Sequence, residues 1–211
     1  AREHFARLGA VVAVSSESTT LVCNDKYETC RVLRAQGIAA AASYLPHELP
    51  LRPAFPLFIK PRFGRGSVGA FSIRTMRELD FFLGYVDDPV VQEYLDGPEF
   101  TLDVFCDAVG QAVAVVPRER VVIRAGVIDR GRTSNDPALI DLALRCVAAL
   151  PFVGPLNIQC RVVAGRPTVF EINPRFSGGI PLTVAAGADF PAMVIDLARG
   201  RALAPAIGRF T

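Results

Sequence analysis

Near the end of this 211-residue chain, Glu171, Asn173 and Arg175 follow one another at a spacing of two. Val169, Phe170 and Ile172 around them are apolar and favour a strand, which Pro174 and then Gly178 and Gly179 bring to an end. Strand side chains alternate between faces, so the spacing predicts that Glu171, Asn173 and Arg175 point the same way. A carboxylate and a carboxamide offer oxygens to a hard cation such as Mg²⁺, and a guanidinium beside them can hold an anion. A solvated strand face with a chance charge pair would carry the same residues. The rest of the chain has to decide between the two.

Lysine usage adds a second clue. Of 23 basic residues, only Lys26 and Lys60 are lysine. An ammonium is a compact point charge suited to phosphate. Lys60 ends a strand read over residues 56–61. It is followed by a turn rich in glycine (Gly64, Gly66, Gly69) that also contains Ser67, and by a strand over residues 71–73. Glycines let backbone N–H groups approach a phosphate closely. The lysine precedes the glycines and no helix follows at once, so this is not a Walker loop. An ordinary flexible hairpin is the alternative.

The elements that must position these groups can be read in order. Residues 2–8 end a helix at Gly9, Val11–Val14 read as a short buried strand, and Ser15–Glu17 start a helix. Asp25 caps a helix over about 26–36 that stops at Gly37. A proline-marked loop leads to the Lys60 strand. A helix over residues 74–85 then places Met76, Leu79, Phe82 and Leu83 on one face. Strands over residues 89–95, 99–106, 112–116 and 118–123 read as an antiparallel meander, the second with alternating polar and apolar residues. A helix over 136–150, a strand over 156–160, a hairpin back onto the Glu171 strand and a helix over 191–199 complete the chain. That hairpin sets Gln159 and Glu171 on paired strands, where their side chains can meet.

Composition bounds the rest. Hydrophobic residues make up 51% and charged residues 21%, which indicates a folded globular chain of one or two domains rather than a disordered one. A net charge of +2 argues against nucleic acid and anionic membrane surfaces as partners. No apolar run approaches the roughly 20 residues that cross a bilayer, and the first residues do not form a signal peptide, so the expected location is cytoplasmic. Five scattered cysteines fit reduced core residues rather than disulfides or a zinc site.

Taken together, these motifs resemble the ATP-grasp superfamily, in particular the ATP-binding halves of carbamoyl-phosphate synthase large subunits and related carboxylate–amine ligases. The resemblance rests on Asn24-Asp25-Lys26, Phe58-Ile59-Lys60-Pro61 with the stretch Gly64 to Gly69, Gln92-Glu93-Tyr94-Leu95, Asn157-Ile158-Gln159-Cys160, and Glu171-Ile172-Asn173-Pro174-Arg175. These occur in the family's order and cover about residues 18–200. The resemblance implies an α+β fold, with two lobes holding ATP between two antiparallel sheets. Residues 1–24 would be the remnant of a Rossmann-like pre-domain, 25–90 the N-lobe with its glycine-rich hairpin, and 91–211 the C-lobe with the Mg²⁺-binding strands.

The resemblance also implies roles for single residues. Lys26 and Lys60 would hold the nucleotide phosphates, and Gly66 and Ser67 would cover them. Gln92, Glu93 and Leu95 would line the adenine pocket, Asp103 would bind the ribose hydroxyls, and Arg124 would lie near the nucleotide. Gln159, Glu171 and Asn173 would bind Mg²⁺, with Mn²⁺ as a substitute, and Arg175 would steady the transferring phosphoryl group. The implied activity is that of a ligase that joins a small carboxylate to an amine or thiol through an acyl phosphate. Two alternatives stand beside it: a carbamoyl-phosphate-synthase-like domain that phosphorylates bicarbonate, and a nucleotide-binding fragment without turnover. The missing pre-domain is expected from a longer chain, from a partner chain or from a second copy in a homo-oligomer.

Overall fold

The computed structural model describes residues 2–64, 66, 68–124 and 127–210, leaving aside the side chains of residues 2, 3, 123, 124, 127 and 128. Three helices open the chain: α1 (Arg2–Arg7), α2 (Glu17–Asn24) and α3 (Lys26–Ala35). Ser16 caps α2 by accepting from the Thr19 N–H, and Asp25 caps α3 by accepting from Tyr27 and Glu28. Gly37, at φ +71°, turns the chain out of α3. The strand expected over Val11–Val14 does not form. Val11 and Val14 are exposed, and the Val14 N–H turns back onto the Val12 carbonyl instead of a neighbouring strand.

Two antiparallel sheets follow. The first combines β1 (Ser43–Tyr44), β2 (Leu57–Pro61), β3 (Phe71–Ile73) and β4 (Pro89–Glu93) in the order β1-β4-β2-β3. Helix α4 (Met76–Tyr85), capped by Thr75, packs on one face. Leu57, Ile59, Ile73, Leu79, Val86 and Val91 form its core, and Phe82 and Leu83 pack against them as the helical spacing predicts. Met76 is the exception on that face. It lies in the first turn and remains 45% exposed.

The second sheet has the order β7-β6-β5-β8-β9, built from β5 (Glu99–Cys106), β6 (Ala112–Arg124), β7 (Val127–Thr133), β8 (Gly154–Val163) and β9 (Arg166–Asn173). The segments expected at 112–116 and 118–123 are one continuous strand that runs through Pro117. One face of β5 (Phe100, Leu102, Val104 and Cys106) packs in the main core with residues of α3 and of α5 (Pro137–Ala149). Its other face is buried as well. Phe105 lies under Phe190 of α7 (Phe190–Ala198), and Asp103 contacts Thr183 of α6 (Ile180–Ala185). Each well-buried Leu or Phe in such a core is worth about 1.5–3 kcal/mol.

The division expected at residue 25 does not follow this packing. Cys23, Cys30, Leu33, Ala40 and Ala41 belong to the core of the five-stranded sheet, and the segment around Ala40 bonds alongside Val169 of β9. Only from Ser43 to Glu93 does the chain build the smaller lobe. All five cysteines are buried and unpaired, and burial pushes the thiols of Cys23, Cys106 and Cys146 up to about 12. They pack as core residues, as expected.

Candidate functional site

The two sheets enclose a cavity of about 390 Å³. From the smaller lobe, β2 contributes Phe58 and Lys60, which share a face because they are two residues apart, and Gln92 lies opposite Phe58 on β4. Gly64, Gly66, Val68 and Ala70 of the β2–β3 connection also line the cavity. Gly64 and Gly66 have φ of +112° and +74°, a conformation that favours glycine. Ser67 lies outside the described residues.

Lys60 is 6% exposed and Lys26 7% exposed, unusually buried for lysines. The Lys60 Nζ donates to the Phe170 carbonyl at 3.4 Å and sits 5.2 Å from the Phe170 ring centre. The Lys26 Nζ donates to the carbonyls of Gly64 (3.0 Å) and Arg62 (3.3 Å), so it grips the root of the glycine-rich turn. Asp25, while capping α3, also pairs with Arg62 at 2.6 Å, which fixes that root from a second side. Burial lowers the pKa of both ammonium groups, and the Glu171 carboxylate opposes that shift in both. One carboxylate therefore acts on both lysines across the same space. An anion of high charge would complete this site.

From the larger lobe come Gln159 and Glu171, directly opposite each other on β8 and β9 as the hairpin reading requires. A bulge between Gln159 and Cys160 leaves Phe170 as an extra residue, which turns its carbonyl and ring to Lys60. Asn173 lies one step along the strand, opposite Asn157, and donates to Glu171 Oε1 at 2.9 Å. The strand ends there. Arg175 is exposed beyond it, and its guanidinium donates to Asn173 Oδ1 (3.3 Å) and to the Phe176 carbonyl (2.9 Å).

The remaining expected residues fall in different places. Glu93 and Leu95 line the cavity with Gln92 and Tyr94. The Gln92 amide is already bonded to Ser43 Oγ at 2.9 Å, and Glu93 accepts from the Ala42 N–H at 2.7 Å. Their side chains are thus engaged, and so is the Glu93 N–H, which donates to the Ala42 carbonyl at 2.9 Å. Arg124 ends β6, and its side chain lies outside the described residues. Asp103 does not reach the cavity. It is fully buried beside Arg118, with Nε–Oδ2 at 2.7 Å and Nη2–Oδ1 at 3.1 Å, and it also accepts from Thr183 Oγ1. Alternation puts Glu99 on the same face, and Glu99 does line the cavity, flanked by Arg120 on β6 and Arg161 on β8. Strand β5 starts directly after Gly97 and Pro98; its first carboxylate, Glu99, meets the cavity and the later one, Asp103, lies beside α6.

A family model described as ATP-grasp in the biosynthetic pathway with Ter operon matches residues 86–209, more than half of the chain. The chain belongs to the ATP-grasp family. Its sequence is 27% identical over 173 residues to a carbamoyl phosphate synthase large chain of Thermoanaerobacter, covering 74% of this chain and 16% of that protein. Among solved structures it is similar to a biotin carboxylase–β,γ-ATP complex from Campylobacter jejuni, with a TM-score of 0.80 and 17% identity over 95% of this chain and 51% of that one. It is also similar to an L-amino acid ligase from Bacillus licheniformis, with a TM-score of 0.70 and 20% identity over 85% of this chain and 48% of that one. The chain thus spans a sixth to a half of the length of these relatives. The two-lobed α+β architecture is the ATP-grasp fold, in a domain similar in sequence to part of carbamoyl phosphate synthase large chains. No helix among the described residues is long and apolar enough to cross a membrane.

The donor set fits Mg²⁺. Glu171 would supply one charged oxygen and Gln159 a carboxamide oxygen, both at the cavity, whereas Asn173 does not line it and turns its nitrogen to Glu171 and its oxygen to Arg175; so sparse a set suits an ion which keeps waters and shares substrate phosphates. Among the described residues there is no cluster of three or more His, Cys, Asp or Glu that would hold a metal by itself.

Proposed function

We propose that this chain binds ATP with Mg²⁺ between its two sheets and activates a small carboxylate for attack by an amine or similar nucleophile. The observation that supports it most is the convergence of Lys26, Lys60 and Glu171 on one cavity lined by the glycine-rich turn.

Lys26 and Lys60 neutralise phosphate oxygens, and the backbone of Gly64 and Gly66 closes over them. Phe58 and Phe170 offer apolar surface to the base and sugar. Backbone groups of Glu93 to Leu95 read the edge of the base, and Glu99 accepts from ribose hydroxyls, the role the resemblance gave to Asp103. Gln159, Glu171 and Asn173 would hold Mg²⁺, which supplies charge neutralisation between neighbouring phosphates. The Asn173 carboxamide now presents its nitrogen to Glu171, so it must turn its oxygen inward to join that set. Arg175, free to leave Asn173, steadies the phosphoryl group as the acceptor carboxylate takes it. A carboxylate is a poor electrophile, and phosphorylation provides the leaving group that the nucleophile displaces. Such transfer needs mainly positioning and charge. The carbamoyl phosphate synthase relatives make bicarbonate the first acceptor to try.

Calorimetric titration with a nonhydrolysable ATP analogue, with and without Mg²⁺, tests the binding claim. An ADP-release screen against bicarbonate and pooled amino acids tests the chemistry. Binding without acceptor-dependent release would reduce the reading to a nucleotide-binding module.

A further inference from the structure

Arg118 is among the largest fully buried side chains, yet it lines no part of the cavity. Its Nη1 has no hydrogen-bond partner among the described residues. A buried ion pair is a poor source of stability, since apolar side chains of similar volume often do as well or better. An unpartnered buried donor makes the exchange worse. The arrangement is better explained by what the pair holds. Arg118 Nη2 donates to Ser177 Oγ at 2.8 Å, and Thr183 Oγ1 donates to Asp103 Oδ2. Both hydroxyls belong to the chain that leaves β9. From β8, directly opposite Asp103, Asn157 Nδ2 donates to the backbone carbonyl of Arg175 at 3.0 Å. Arg175 itself is exposed, and the contacts of its guanidinium are to Asn173 and to its own neighbour. Its placement therefore depends on how its backbone is pinned. An irregular segment left unpinned would sample many conformations.

We infer that the Asp103–Arg118 pair, acting through Ser177 and Thr183, is a positioning device for the 174–179 segment and so for Arg175. This rests on the nucleotide reading above. Ser177→Ala removes one acceptor from the device and leaves the ion pair intact. It weakens binding of a nonhydrolysable ATP analogue with Mg²⁺ by about tenfold, the effect of one hydrogen bond to a charged group. Binding of the metal-free analogue changes little, the melting temperature falls by a few degrees because a buried donor loses its acceptor, and amide exchange over residues 175–179 accelerates. Ser177→Thr, which keeps a hydroxyl, restores binding. In an Arg175→Ala background the Ser177→Ala effect shrinks to less than about twofold, because coupled residues are not additive. Thr183→Val supplies the same comparison should Ser177→Ala fold poorly. Equal losses in both backgrounds, or no loss in a chain whose Mg²⁺ dependence Glu171→Ala abolishes, would overturn the positioning role and leave the nucleotide reading standing. Unchanged Mg²⁺ dependence in Glu171→Ala would remove both.

Discussion

The two sheets face one cavity but are built on opposite terms. The smaller one has short strands, a core of six buried apolar side chains and a turn whose glycines sit at positive φ. Its ligand groups are a buried ammonium and backbone, held by little else. The larger one has strands of up to 13 residues and a polar face in which nearly every group is already partnered: Arg120 and Arg161 on Glu99, Arg118 on Asp103, Asn157 on Asn173 and on the backbone of Arg175. Electrostatic demand is thus left open in one lobe and largely met in the other. The expected consequence is that the larger sheet is a preformed platform and the smaller one gains order when an anion arrives. Lys26 crosses this division. It stands at the start of a helix that packs on the larger sheet, yet it bonds the turn of the smaller one.

Substitutions can break this contrast. The largest effect is expected for Glu171→Ala, which removes the one charged oxygen of the metal set and should lower Mg²⁺-dependent nucleotide affinity or turnover by on the order of 10²–10³. Calorimetry with and without Mg²⁺ checks it. Lys60→Met comes next. It should weaken nucleotide binding by about 10²-fold and at the same time raise the melting temperature of the nucleotide-free protein at neutral pH, since a desolvated charge disappears. The pH dependence follows the same cause. Burial lowers the folded-state pKa of Lys26 and Lys60 below the ordinary 10.5, so between those values the unfolded chain holds more protons. Stability of the free protein should therefore gain from these two groups as pH rises through that window. Thermal melts across alkaline pH should show less of that gain in Lys60→Met, and nucleotide affinity should fall over the same range as the ammonium groups deprotonate.

Gly97 tests the joint between the lobes. A Cβ there would stand 2.0 Å from the Val162 carbonyl oxygen, so Gly97→Ala must push this connection off β8. It should destabilise by about 1–3 kcal/mol, read by denaturant unfolding. The smallest effect sharpens the site assignment. Glu99→Gln should change the preference for ATP over 2′-deoxy-ATP by about tenfold, whereas Asp103→Asn should leave that ratio as it is. The reverse pattern would return the ribose to Asp103.

Much of this was legible in residue order. Alternation and a hairpin were enough to pair Gln159 with Glu171, and lysine scarcity singled out Lys26 and Lys60. The misplaced features share a cause. Val11–Val14 has the composition of a strand but no neighbour to pair with among the described residues. Asp103 and Glu99 share a face, so alternation alone could not say which meets the cavity and which lies under α6. Arg118 reads as an ordinary polar strand residue because its partner Ser177 lies 59 residues further along the chain. Long-range cover leaves no local pattern, and it decides which polar residues act on a ligand.

The most direct test is a crystal structure with Mg²⁺ and a nonhydrolysable ATP analogue. The account predicts terminal phosphates within hydrogen-bond reach of Lys26 and Lys60, metal on Glu171 and Gln159, and Glu99 at the sugar. A nucleotide bound outside the space between the sheets, or phosphates turned away from both lysines, would contradict it.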